Sequence, residues 1–197
     1  MIPLWLKLAY TLFVVVVVFV YVRKYPLGNF LWFSDIGLLV TVPALWFESA
    51  LLASMMTVGL LLPEVIWNAT FFGKLLTGKR ITGMTDYMFD PAKPLYLRAL
   101  SLFHVILPVL LLWMVAKLGY VAHAWIAQTA LAWVVLPLSY WLTDPQVESV
   151  NWAHGPGYRQ KRVHPFIYLG ALMIGFPVVL YYPTHLLLTL IFAGIRL

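Results

Sequence analysis

Apolar runs long enough to cross a bilayer recur along the whole chain, and this limits its fold more than any other feature. A segment in hydrocarbon must satisfy its own backbone hydrogen bonds, which an isolated open strand cannot do. The valine run Val14 to Val18 therefore reads as helix despite its strand propensity. Composition agrees, with 63% of the 197 residues hydrophobic and 10% charged. A soluble domain is about half apolar and about a quarter charged. The expectation is an all-α, polytopic integral membrane protein: one transmembrane domain over residues 1–197, folded as a six-helix bundle.

The spans fall at 4–22, 30–46, 50–72, 95–117, 122–142 and 166–193. Residues 30–72 read almost as one apolar stretch. As a single helix they would reach about 64 Å, twice a hydrocarbon core of about 30 Å. Two spans joined at Trp46-Phe47-Glu48-Ser49 fit instead. The first span lacks a small-residue cleavage site after it, so it is expected to stay in place.

Lysine and arginine sort by side. The loops after spans one, three and five hold Arg23 and Lys24, then Lys74, Lys79, Arg80, Lys93 and Arg98, then Arg159, Lys161 and Arg162. The other side holds only Lys7, Lys117 and Arg196. Cytoplasmic loops carry the excess of basic residues. That places both termini on the non-cytoplasmic side of a cytoplasmic-type (inner) membrane. The net charge of +6 thus reflects topology and lipid headgroups, the expected partners, and not nucleic acid. Cysteine is absent, which removes thiolate chemistry and cysteine-ligated metals. No cofactor is expected, and oligomeric state is not readable.

Ionisable groups inside a membrane are costly and are functional candidates by default. Asp35, Glu64, Asn68, Ser101, His104 and Asp144 all fall within roughly the inner 14 Å of their spans. Glu64 and Asn68 are spaced i,i+4 and Ser101 and His104 i,i+3, so each pair is expected to share a helix face. Each also has a plain structural reading. Asp35 can neutralise Arg98 or Lys24, Glu64 can bond a group freed by Pro63, His104 can bridge two helices, and Asp144-Pro145 can simply stop one. The loop at 143–165 carries Asn151, Trp152, Tyr158 and His154 among turn glycines. It is expected to be ordered over the cytoplasmic mouth, where Asn151, Trp152, His154, Asn68 and Asp144 would bind substrate.

Three chemistries fit these residue types. In ester hydrolysis Ser34 or Ser101 would attack, His104 would act as base, and Asp35 or Glu64 would orient the imidazole. A divalent metal on Asp35, Glu64, His104 and His154 suits the ligand types, but no metal-binding spacing is present, and none is assigned. Proton-coupled transport would use Asp35 and Glu64 as a relay. A non-catalytic scaffold is a further alternative.

Trp32-Phe33-Ser34-Asp35 opening span two, and Phe103-His104-Val105-Ile106-Leu107-Pro108 in span four, resemble the six-span androgen-induced integral membrane hydrolases and their bacterial relatives. The stretch from Trp141 to Pro156 is similar in placement to the loop after their fifth span. Those proteins are threonine–histidine esterases acting on lipid esters. The resemblance implies that His104 is the catalytic histidine and that the substrate is lipid-like. The position of the threonine falls at about Trp32, which is no nucleophile, so Ser34 takes that role only with a shift of helix phase. The leading expectation is a lipid-directed hydrolase or acyl-transfer enzyme, which requires Ser34 or Ser101 within hydrogen-bond reach of His104.

Overall fold

The apolar runs become helices. The structure, a computed structural model, describes residues 1–157 and 159–192. The helices are α1 (Leu4–Lys24), α2 (Phe33–Trp46), α3 (Ala50–Thr77), α4 (Leu95–Leu100), α5 (Phe103–Leu118), α6 (Ala124–Leu142), α7 (Pro165–Gly175) and α8 (Tyr182–Phe192). Short 3-10 turns lie at Leu27–Leu31, Asp86–Met88 and Val150–Trp152, and a π-helical segment, Phe176–Tyr181, joins α7 to α8. No strand occurs among the described residues. Tyr158 and Arg196, and the last residue of the span expected to end at 193, lie outside the described residues.

Five helical stretches are long and apolar enough to cross a membrane: α1, α3, α4 with α5, α6, and the stretch from α7 to α8. The expected second span is shorter than that. Residues 27–31 coil into a 3-10 turn, and α2 has 14 residues, about 21 Å against a core of about 30 Å. The reason is a long-range contact. Phe33 is the first residue of α2, and its N–H is capped from a distant loop, which fixes the start of the helix beyond residue 30.

The long stretch 30–72 does break where polar and aromatic residues meet. Glu48 has φ 49°, the Ser49 hydroxyl accepts from Leu52 N–H at 3.3 Å, and Ser49 thereby caps α3. At the far end α3 runs past residue 72 to Thr77 and stops at Gly78, whose φ of 68° suits the left-handed C-cap position. The fourth span is interrupted at Ser101 and Leu102, between α4 and α5.

α3 is the central helix. It packs on α2, α5, α6 and α8, while α1 packs on α2 at the periphery. Ala53, Val58, Leu107, Leu111, Met114, Leu136 and Leu188 are fully or nearly fully buried between them. Gly59 lets α6 approach α3: a Cβ there would run into the Gln128 side chain. Buried threonines return their hydroxyls to the preceding turn, as Thr57 does to Ala53 O and Thr41 to Gly37 O, both at 2.7 Å.

Prolines free backbone carbonyls, and neighbouring helices take two of them up. Pro108 has no N–H for His104 O, which accepts instead from Asn68 Nδ2 at 2.8 Å. Pro177 likewise frees Met173 O, which accepts from Trp133 Nε1 at 2.8 Å. Side chains tie α3 to α5, and α6 to the last span, where the backbone alone leaves a gap.

Candidate functional site

The basic loops gather at one end of the bundle, and the polar side chains of interest lie just inside that end. Glu64 on α3 is 2% exposed, and its carboxylate meets Nδ1 of His104 on α5 at 2.8 and 3.0 Å. With a carboxylate as partner Nδ1 donates, and in the neutral ring the lone pair is then on Nε2. Nε2 makes no hydrogen bond among the described residues, and the imidazole side chain is 13% exposed. The ring lies between two aromatics. Trp67 stacks at 4.6 Å and 19°, and Phe103 at 4.2 Å and 24°. Asn68, one turn after Glu64, donates to both Glu64 O and His104 O at 2.8 Å. Glu64, Trp67 and Asn68 thus act from one face of α3, as their spacing requires.

The serines do not join this pair. The Ser101 hydroxyl donates to Leu97 O at 3.3 Å and lies 3.4 Å from the Tyr21 hydroxyl. Ser34 makes no hydrogen bond to His104 among the described residues. The serine–histidine contact that a triad needs is therefore not formed. The backbone only tightens here, with His104 N–H bonded to Ser101 O at 3.2 Å, and it is the partners that differ: the Ser101 hydroxyl turns back to Leu97 O while the imidazole meets Glu64.

Asp35, in the first turn of α2, is 4% exposed. Its Oδ2 accepts from Asn29 Nδ2 at 3.2 Å, and its Oδ1 is buried without a partner. Among the described residues it pairs with neither Arg98 nor Lys24, and it makes no hydrogen bond to His104. Tyr87, from the loop after α3, places its hydroxyl beside Ser101 and Trp67, and burial raises its phenol well above the usual range. Tyr21, Trp67 and Tyr87 were not among the sequence candidates. Trp67 is legible in retrospect from its i+3 relation to Glu64. Tyr87 sits in a loop with no periodicity to flag it.

The other expected substrate contacts separate from the pair. Asn151 has φ 50° and works as a clamp. Its Oδ1 accepts from Phe33 N–H at 3.0 Å, and its Nδ2 donates to Leu31 O at 2.6 Å and to Ser139 Oγ at 3.0 Å. Trp152 is 43% exposed and accepts from the Tyr168 hydroxyl through its carbonyl. His154 stacks on Tyr140 at 4.6 Å, and burial lowers its imidazole from the usual range. It lines a small cavity with Arg159, Gln160 and Tyr168. Asp144 is exposed and accepts from Gln146 N–H in a local turn. Among the described residues no three His, Asp or Glu side chains converge on a metal-sized space.

No family model, curated protein or solved structure matches the chain.

Proposed function

We propose that this chain is a six-span protein of the cytoplasmic membrane that carries out ester chemistry on a membrane lipid, with His104 as general base and Glu64 as its orienting partner. The exposed residues favour a lipid surround. Leu8, Leu12, Val15, Phe19, Val178, Val179 and Leu190 point outward from long helices, an apolar surface that a water-soluble protein would cover. The short α2 completes the sixth crossing together with the 3-10 turn before it.

The Glu64–His104 contact carries the reading. A carboxylate on Nδ1 and a free Nε2 is the arrangement of a general base. With neither serine bonded to the imidazole, the attacking hydroxyl comes from water or from a lipid alcohol. Nε2 takes the proton as the oxygen adds to the ester carbonyl carbon. It then returns that proton to the departing alkoxide as the ester C–O bond breaks. Water as nucleophile gives hydrolysis, and a lipid alcohol gives acyl transfer. The resemblance to the threonine–histidine lipid esterases agrees on the histidine and on the class of substrate.

A second reading has its own observation. Asn68 and Glu64 both bind His104, so the trio also serves as a lock between α3 and α5 in a non-catalytic scaffold. One set of variants separates the two. Purified protein in nanodiscs is assayed for release of fatty acid, or its transfer, from a panel of phospholipid and neutral-lipid esters. Removing a general base costs about 10²–10⁴-fold, so His104→Ala should lose turnover on that scale, and Glu64→Gln should lose a substantial part. Absence of wild-type turnover across the panel, or equal turnover in His104→Ala, defeats the enzyme and leaves the scaffold.

A further inference from the structure

The proposed base lies under a strap. The His104 side chain is 13% exposed and the Glu64 side chain 3%, too little for an ester to reach Nε2 while the strap is down. Residues 82–90, in the loop after α3, form this cover. Tyr87 brings its hydroxyl beside Ser101 and Trp67 and lies near enough to Glu64 to feel its charge. Met88 is buried, and its carbonyl accepts from Arg98 Nη1 at 3.2 Å. The Phe89 ring lies 5.6 Å from Phe71, Phe71 stacks on Trp67 at 5.2 Å, and Trp67 stacks on His104 at 4.6 Å. A continuous row of rings thus leads from the strap to the imidazole.

The outer edge of the strap is held by charge. Asp86 accepts from Lys74 Nζ at 2.8 Å and from Arg80 Nε at 2.7 Å. A Cβ at Gly83 would meet the Arg80 guanidinium at 2.6 Å, so the close seat of Arg80 on the strap requires glycine there. The side chains of Lys74, Asp86 and Arg80 are 21%, 36% and 67% exposed, so all three are open to competing ions. Exposed pairs hold weakly. An anionic lipid surface draws each nearby lysine or arginine by about fivefold in an equilibrium, which matches what one such pair supplies. Lys74 lies in the last turn of α3, and Lys79 and Arg80 follow directly after Gly78. In the membrane setting this is the level of the headgroups.

We propose that residues 82–90 are a lid over the Glu64–His104 pair, clasped by Asp86 on Lys74 and Arg80, and that the phosphates of anionic lipid headgroups release it by taking those two cations. The proposal rests on the lipid-ester reading for the membrane setting and for what the opened lid admits, but not for turnover. Release needs no covalent change. Asp86 returns to water, Tyr87 and Phe89 lift away from the row of rings, and Ser101 and Trp67 come to face the headgroup layer. A choline headgroup carries its own ammonium beside its phosphate and so competes poorly for Lys74 and Arg80. A glycerol headgroup leaves its phosphate uncompensated and competes well.

The test reads opening and not turnover. The chain has no cysteine, and Ser101 is buried beside Tyr87, so Ser101→Cys supplies a single thiol under the lid. Full-length protein is placed in nanodiscs of phosphatidylcholine alone or of equimolar phosphatidylcholine and phosphatidylglycerol, and alkylation by N-ethylmaleimide is timed. With two cations competed for, the thiol should react about fivefold faster or more in the anionic discs. Adding Asp86→Asn should make it fast in phosphatidylcholine already, and phosphatidylglycerol should then add little. Hydrogen exchange across residues 82–90 of the unsubstituted chain should quicken in the anionic discs as well. Equal alkylation and equal exchange in the two discs overturn the proposal, whether or not the protein turns over lipid esters. So does an Asp86→Asn protein that stays slow in phosphatidylcholine, or one that phosphatidylglycerol accelerates as much as its parent. Free glycerol phosphate that opens the lid in phosphatidylcholine discs as well as the anionic lipid does would overturn the membrane source.

Discussion

Asn68 does more than its position in the sequence suggests. Its amide holds the carbonyl that Pro108 leaves open, and so pins the backbone of the residue whose ring forms the proposed base. Loss of a partner to a buried polar group costs about 1–3 kcal/mol. Asn68→Leu should therefore lower stability by about that much in detergent unfolding, and Pro108→Ala, which restores the missing N–H, should recover part of it. Equal stability of wild type and Asn68→Leu would show that the carbonyl needs no partner. The same scale shows where sequence reasoning reaches. Glu64 and Asn68 share a face because α3 is unbroken between them, and i,i+4 arithmetic is enough. Ser101 and His104 obey the same arithmetic, yet the Ser101 hydroxyl turns back to Leu97 O and the imidazole meets Glu64 from another helix, partners that spacing along one helix does not encode. Asn151 was read as a substrate contact. The structure shows it capping a helix more than a hundred residues earlier, and no local pattern encodes a partner at that distance.

The elements follow the hydrophobic runs closely, and their ends follow local chemistry. Gly78 stops α3 through its left-handed conformation, and the Trp46–Ser49 turn was legible from its composition. The start of α2 was not, because it depends on Asn151. The loop after α3 shows no periodicity. It is anchored by Asp86, which receives Lys74 Nζ at 2.8 Å and Arg80 Nε at 2.7 Å. These cations, Lys74 first, hold the Asp86 carboxyl below the usual range. A depressed carboxyl contributes stability above its unfolded-state value, about pH 4, and loses it as pH falls through the folded value. Hydrogen exchange in the 82–90 segment at pH 7 should be several-fold slower in wild type than in Asp86→Asn. That ratio should shrink toward one below about pH 4. A ratio that stays constant across this range would remove Asp86 as the anchor.

For the whole molecule, the proposed orientation, argued from the split of basic residues, is tested by two single-cysteine variants. Phe47 lies in an exposed turn at one end, and Ala92 in an exposed loop at the other. In sealed inverted and right-side-out vesicles, Phe47→Cys and Ala92→Cys should react with an impermeant thiol reagent from opposite sides, Ala92→Cys from the cytoplasm. Labelling from one side would show that α3 does not cross between them. The π-helical segment Phe176–Tyr181 bears on the assembly in a different way. Its wider turn admits about one residue more than an α-helix would, and each residue advances a helix by about 100°. Everything after it is therefore indexed by that one surplus residue, like a gear set one tooth forward. The setting turns Tyr181, Thr184 and Leu188 into the core and brings His185 Nδ1 to 2.8 Å from the Tyr120 hydroxyl. Removing one residue here would leave the composition of the last span almost untouched, yet it would rotate a different stripe of side chains into the bundle.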